Sequence, residues 1–196
     1  QIRYDKGGDE HYNVVSAFIK SIRGSDPQAS VYYLARMIEG GEDVKFIARR
    51  LIISAAEDIG LANPNALMMA NETFSAVERV GWPESRIILS QCVIYLATSP
   101  KSNSAYKAIN NAQEEVRSSG ALPVPDALKN APTELAKDLG HSKGYLYSHD
   151  YPQNFVEQEF MPVELSSRRF WKPAGNTKEH QLNELQKHFW KDKYGA

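Results

Sequence analysis

The chain has 196 residues, 42% apolar and 24% charged, with 23 Lys/Arg against 24 Asp/Glu for a formal net charge of −1. That length suits one large domain or two small ones, and the even charge lacks the basic footprint of a dedicated nucleic-acid-binding domain. No apolar run approaches the ~20 residues that span a bilayer, and the single cysteine, Cys92, excludes an internal disulfide and fits a reducing compartment.

Val15, Phe18, Ile19 and Ile22 recur at helical spacing and predict a first helix that ends at Gly24. Ser25 to Pro64 then predicts two more helices together with their boundaries. Asp26 is the N-cap of the second, and Pro27 occupies its first turn, where the missing N–H costs little. Val31, Leu34, Ala35 and Ile38 form the stripe, and Gly40-Gly41 ends it. Glu42-Asp43 places negative charge at the positive end of a third helix. Its stripe is Val44, Ile47, Ala48, Leu51, Ile52 and Ala55, widened by Phe46 and Ile53, so it is buried on more than one side. Glu57-Asp58 lies near its C-terminus, before Gly60.

Asn63-Pro64 repeats the start signal, and Leu67, Ala70, Phe74 and Val77 mark a fourth helix stopped near Gly81. Pro83 starts a fifth, with Ile88, Cys92, Tyr95 and Leu96 on one face, and Ser99-Pro100 ends it. Ala105, Ile109, Ala112 and Val116 make a sixth that closes at Gly120. Helices this short are marginal alone in water, so their stripes must pack together.

After Gly120 the periodicity weakens, and six of the ten prolines fall there. Residues 139–175 carry Tyr145, Tyr147, Tyr151, Phe155, Phe160, Phe170 and Trp171, an aromatic content unlike that of disordered chains. They predict an ordered arm with its rings anchored on the helical body or on a neighbouring subunit. A last amphipathic helix with Leu182, Leu185, Gln186 and Phe189 is either frayed or packed on a partner. The fold class is all-α: a compact multi-helix bundle followed by an irregular aromatic- and proline-rich arm.

Several side chains have the types that chemistry uses. Glu57 and Asp58 stand at a helix C-terminus, where the dipole disfavours negative charge. Arg49 and Arg50, about two turns back, are the expected partners in a structural or intersubunit ion pair, with direct DNA contact the other reading of the arginines. Ser99-Pro100-Lys101-Ser102-Asn103 precedes a helix, and Lys101, Ser102 and Asn103 are candidates for phosphate contact at its N-terminus, against the reading of a capped turn. Arg168-Arg169-Phe170-Trp171-Lys172 mixes guanidinium and aromatic groups as single-strand binders do, which makes Arg168 and Arg169 further DNA-contact candidates.

Ser148-His149-Asp150 has the residue types of a hydrolase triad, but adjacent residues do not converge as a triad must. His141, His149 and Asp150 match no zinc spacing. Cys92 on an apolar helical face reads as a packing residue, and Glu114-Glu115 as a solvated pair.

The segment YDKGGDEHYNVVSAFIKSIRGSDPQASVYYLARMIEGGEDVKFIARRLIISAAEDIGLANPNAL, from Tyr4, resembles the middle of the replication-associated recombination ATPases. These are the bacterial MgsA/RarA proteins, which are related to the eukaryotic Werner-helicase-interacting protein. VIYLATSPKSNSAY at 93–106, LPVPDALKNAPTELAKDLG at 122–140 and KGYLYSHDYP at 143–152 agree with it in order.

The resemblance implies a branch of the AAA+ clamp-loader-like ATPases, with ATP and Mg2+ bound in an N-terminal domain. This chain has no G-x-x-x-x-G-K-[ST] loop; Gly140-His141-Ser142-Lys143-Gly144 has the wrong spacing. The chain is therefore expected to be a C-terminal fragment without the motor, without a cofactor or metal of its own, and without chemistry of its own. Likeness to clamp-loader collars implies an oligomerisation domain that forms a homotetramer. DNA, single-strand-binding protein and the replication machinery are the implied partners of the whole protein, in a bacterial cytoplasm near the nucleoid.

The expected divisions are 1–62 after the AAA+ lid, 63–175 as the oligomerisation domain with its arm, and 176–196 as a tail. Two rival readings are a monomeric adaptor with a groove lined by Tyr32 and Tyr33, and a hydrolase or metalloenzyme using His141, His149 and Asp150.

Overall fold

The computed structural model describes residues 8–195, so Tyr4 to Gly7, the start of the first motif above, lie outside the described residues. Among the described residues there are eight α-helices and no strand: α1 (Asp9–Arg23), α2 (Pro27–Glu39), α3 (Val44–Ser54), α4 (Asn65–Val80), α5 (Ser85–Thr98), α6 (Ser104–Ser119), α7 (Glu134–Asp138) and α8 (Thr177–Trp190). The all-α expectation holds. Chain contacts group Gln1–Lys107 with Pro173–His180 in one compact unit, and Ala108–Lys172 with Gln181–Ala196 in another. This division differs from the boundaries at 62 and 175 drawn from the sequence.

In the first unit the helix starts follow the local chemistry. Asp26 Oδ1 accepts from the Ala29 N–H at 2.9 Å, with Pro27 opening α2, and Asp43 Oδ1 accepts from the Lys45 N–H at 3.0 Å to cap α3. Each cap satisfies a donor that the helix itself leaves unpaired. The apolar stripes then meet in one core of Phe18, Ile22, Leu34, Met37, Ile47, Leu51, Ile59, Leu89, Val93 and Leu96, all fully or almost fully buried. Burying each of the larger side chains stabilises the fold by about 1.5–3 kcal/mol. Cys92 lies within this core, and burial pushes its thiol pKa up, as a packing residue requires.

Helix α5 is the centre of the unit, with α1, α2, α3 and α4 all packed against it. It begins at Ser85 rather than at Pro83, because Trp82–Glu84 form a turn in which Gly81 O accepts from the Ser85 N–H at 2.9 Å.

The third helix departs from its expected course. Helix α3 ends at Ser54, Ala55–Ile59 form a widened π turn, and Gly60–Ala62 tighten into a 3-10 turn. The change of pitch leaves the Asp58 carbonyl facing the loop between α5 and α6, where it accepts from the Ser102 N–H at 2.8 Å.

In the second unit the C-terminal part of α8 anchors the arm. Phe155 stacks on Phe189 at 4.5 Å and meets Trp190 edge-on at 5.2 Å, while Phe160 and Tyr194 flank Trp190. The final helix is therefore the surface on which several of the arm's rings pack, at geometries aromatic pairs favour. The arm also contains a short helix, α7, that the weakened periodicity hides; Thr133 Oγ1 caps it by accepting from the Ala136 N–H at 3.2 Å.

Gly60 supplies a direct test of the turn. Its φ of 49° and ψ of −131° suit glycine alone, and a Cβ there would stand 3.0 Å from the Ser102 carbonyl oxygen. Gly60→Ala is expected to cost about 1–3 kcal/mol, read as a lower urea midpoint with an unchanged slope.

Candidate functional site

The richest cluster of buried polar groups lies where four segments of the first unit meet: the end of α1, the π turn, the loop entering α6, and the start of α8. Arg23, the last residue of α1, donates from Nε to Asp58 Oδ1 at 2.7 Å and brings Nη2 to 3.6 Å from Glu57 Oε1. The Asp58 hydrogen bond holds the Arg23 guanidinium above its usual pKa. Asp58 is only 6% exposed, and its Oδ2 has no hydrogen-bond partner, so Arg23 is the main compensation for a carboxylate that has left water.

The carboxylates at the helix end therefore have a cation, but it is Arg23, 35 residues upstream of Asp58. The predicted partners are placed elsewhere: Arg49 faces Asp43 at 3.9 Å across an exposed pair, and Arg50 is half-buried with its Nε unpartnered. The stripe geometry of a regular helix suggested Arg49 and Arg50; the π turn rotates Glu57 and Asp58 towards α1 instead.

The loop entering α6 is committed internally. Lys101 Nζ donates to Ala97 O at 3.0 Å, Ser99 O at 2.6 Å and Ser25 Oγ at 3.0 Å, which uses all three ammonium donors. Burial pulls the Lys101 pKa down, and the charge of Asp58 works against that shift. Ser102 Oγ accepts from the Ser104 N–H at 3.2 Å, and the Asn103 carbonyl accepts from the Lys107 N–H at 2.9 Å. Of Lys101, Ser102 and Asn103, only Asn103 is exposed. The capped-turn reading describes this loop.

The residue that completes the cluster is Glu179, in the first turn of α8. Its carboxylate is 0% exposed and takes hydrogen bonds from the Ser104 hydroxyl, from Ser102, from Asn176 Nδ2 at 2.5 Å and from the Ala174 N–H. It stands at the N-terminus of α6, where the helix dipole favours an anion. Burial pushes the carboxyl pKa up, but these hydrogen bonds outweigh burial and hold it below the usual glutamate value.

Sequence reasoning passed over both Arg23 and Glu179. A signal for Glu179 exists, since Asn176-Thr177-Lys178-Glu179 is a capping pattern; Asn176 Oδ1 accepts from the Glu179 N–H at 2.9 Å. Arg23 carries no local signal.

The basic and aromatic strip lies in the second unit. Arg168 pairs with Glu115 at 3.1 Å, so that acid is not simply solvated. Arg169 donates to Trp171 O at 3.2 Å, Gly195 O at 2.7 Å and Asn183 Oδ1 at 3.1 Å, which ties the strip to the chain end. Arg169, Phe170, Trp171, Trp190 and Tyr194 line a cavity of about 280 Å³. The remaining polar candidates do not converge. His149 and Asp150 are exposed, the His149 ring lying 5.2 Å from Tyr147, and the described residues hold no group of three metal-ligating side chains. In the Gly140–Gly144 loop the N–H groups of His141, Ser142 and Lys143 donate to Ala136, Asp126 and Gly140 carbonyls, so this loop is no phosphate cradle.

A family model described as the MgsA AAA+ ATPase C terminal matches residues 24–190, and one described as the AAA C-terminal domain matches residues 1–23. The chain belongs to the MgsA C-terminal family. Replication-associated recombination protein A of Bacillus subtilis is 48% identical over 87% of the chain and 40% of its own length, and that of Coxiella burnetii 43% identical over 96% and 43%. ATPase WRNIP1 of Dictyostelium discoideum is 41% identical over 86% of the chain and 19% of its own length. The chain thus spans less than half the length of these curated relatives. The boundary between the two matched segments falls between Arg23 and Gly24, at the edge of the polar cluster. Among the described residues no helix is long and apolar enough to cross a membrane.

The depressed Glu179 pKa carries a stability signature. A carboxylate whose folded pKa lies below its unfolded value stabilises the fold above that unfolded value and loses the contribution as pH falls through the folded one. Glu179→Gln is expected to cost about 1–3 kcal/mol at pH 7, with the gap to the wild type narrowing as pH falls below about 4. Urea midpoints across that range read it directly.

Proposed function

We propose that this chain is the self-associating module of an AAA+ ATPase that works in replication-associated recombination. It assembles homotetramers and so sets the spacing of motor domains, carried elsewhere in the polypeptide, that bind ATP and Mg2+ and act on DNA. The module contributes position and not chemistry. The names of the relatives support the recombination setting, and the extra length of those relatives supports a motor outside this segment.

The observation that carries self-association is the outer face of α5. Helix α5 is central to its unit, yet Ile87 and Ile94, seven residues apart on its outer face beside Gln91 and Thr98, are 57% and 44% exposed. Leu67 and Met68 of the neighbouring α4 are exposed as well. Covering such a face with copies of the same chain gives a closed symmetric assembly. DNA contact by Asn103 and by the arm near Arg168 and Arg169 is an auxiliary part of this reading. Single-strand-binding protein and the replication machinery are its expected partners.

Light scattering on the purified chain tests it. The wild type is expected at about four times the 22.0 kDa chain mass at micromolar concentration. The double substitution Ile87→Glu and Ile94→Glu is expected to yield single chains with unchanged helix content. A wild type that stays a single chain when concentrated overturns the proposal.

A further inference from the structure

We propose that the polar cluster is a relay: loosening the Arg23 pair at the end of α1 also loosens the docking of the Pro173–His180 segment through Glu179. The links are contiguous. Arg23 Nε holds Asp58 Oδ1 at 2.7 Å; the carbonyl of the same Asp58 receives the Ser102 N–H at 2.8 Å; and Ser102 and Ser104 both bond the Glu179 carboxylate. Every member belongs to the first compact unit, and none of them is among the exposed α4 and α5 residues on which the proposed self-association rests.

Three features make the path more than adjacency. The π turn at Ala55–Ile59, a form frequent at functional sites, runs straight into the tighter 3-10 turn at Gly60–Ala62. Gly60 admits the Ser102 carbonyl so closely that a Cβ would stand 3.0 Å from it, so the turn and the loop are packed in direct contact. Glu179 is a wholly buried carboxylate that takes two of its four hydrogen bonds from Ser102 and Ser104 and two from its own segment, so a displaced loop halves the donors of a buried anion, which weakens the docking of that segment. Coupling between distant sites requires an element with two arrangements, and in this proposal they are the docked segment seen here and a released one.

The ends of the relay give it meaning. Arg23 is the last residue matched to the AAA C-terminal domain, and Glu179 lies in the C-terminal stretch matched to the MgsA family. A displacement of α1 in the assembled protein would therefore be felt where α8 begins. Arg23 and Glu179 share no direct hydrogen-bond partner, and without a connecting network residues so placed act additively. Relay action is the departure from that rule.

Hydrogen exchange on the full 196-residue chain decides it. The reporters are the bonded amides of Ser102, Ser104, Glu179 and His180, with the α5 amides from Leu89 to Leu96 as the measure of global opening. Arg23→Gln is expected to speed exchange at Glu179 and His180 about tenfold beyond any change in α5. Glu179→Gln is expected to speed the π turn in return, and the double variant to fall short of the product of the two singles. Arg36→Gln, which removes the separate exposed pair with Glu10, is expected to leave Glu179 and His180 unchanged. Acceleration by Arg23→Gln that stays within residues 55–62, or that matches α5 amide for amide, overturns the relay.

Discussion

A carboxylate taken out of water must be met by hydrogen bonds or a cation, and the first unit is organised around two such groups. Asp58 takes its cation from the end of α1 and lends its carbonyl to the loop before α6; Glu179 takes its donors from that loop and from the cap of its own helix. Burial of this kind specifies geometry more than it adds stability, because removing one partner strands the other. The entry to α6, the turn after α3 and the first turn of α8 all depend on the same few hydrogen bonds.

The apolar core imposes a different constraint. Helix α5 is packed by four helices and still presents Ile87 and Ile94 to solvent. The same face carries the exposed polar residues Gln91 and Thr98, so the two isoleucines form an apolar patch within it rather than a wholly apolar face. The hydrogen bonds of the polar cluster all lie within one unit, with Asp58 Oδ2 left unpartnered. The proposed self-association and the proposed relay therefore rest on different residues and can be perturbed separately.

Local patterns read well wherever the deciding interaction is local. The cap at Asp26, the core-facing stripes of α1 to α5 and the burial of Cys92 follow from residues within one or two turns of each other, whereas the expected stripe of α6 is largely exposed, with Ile109 and Val116 turned to solvent. The motifs at 4–67, 93–106, 122–140 and 143–152 carry the family resemblance, and the match over residues 24–190 agrees with it. The π turn escaped because a regular helix was assumed through Ala55 and Glu57; that assumption alone directed attention to Arg49 and Arg50. The short helix α7 escaped because five residues show no period.

The sequence by itself determined that this chain is helical, where most of its helices start, and which family it belongs to, because each of those rests on spacing and on side chains close in the chain. Only the tertiary structure decided that Arg23 meets Asp58 across 35 residues and that Ser104 meets Glu179 across 75. The physical reason is range: hydrogen bonds act over about 3 Å, so a pairing between segments far apart in sequence has no trace until the core brings them together.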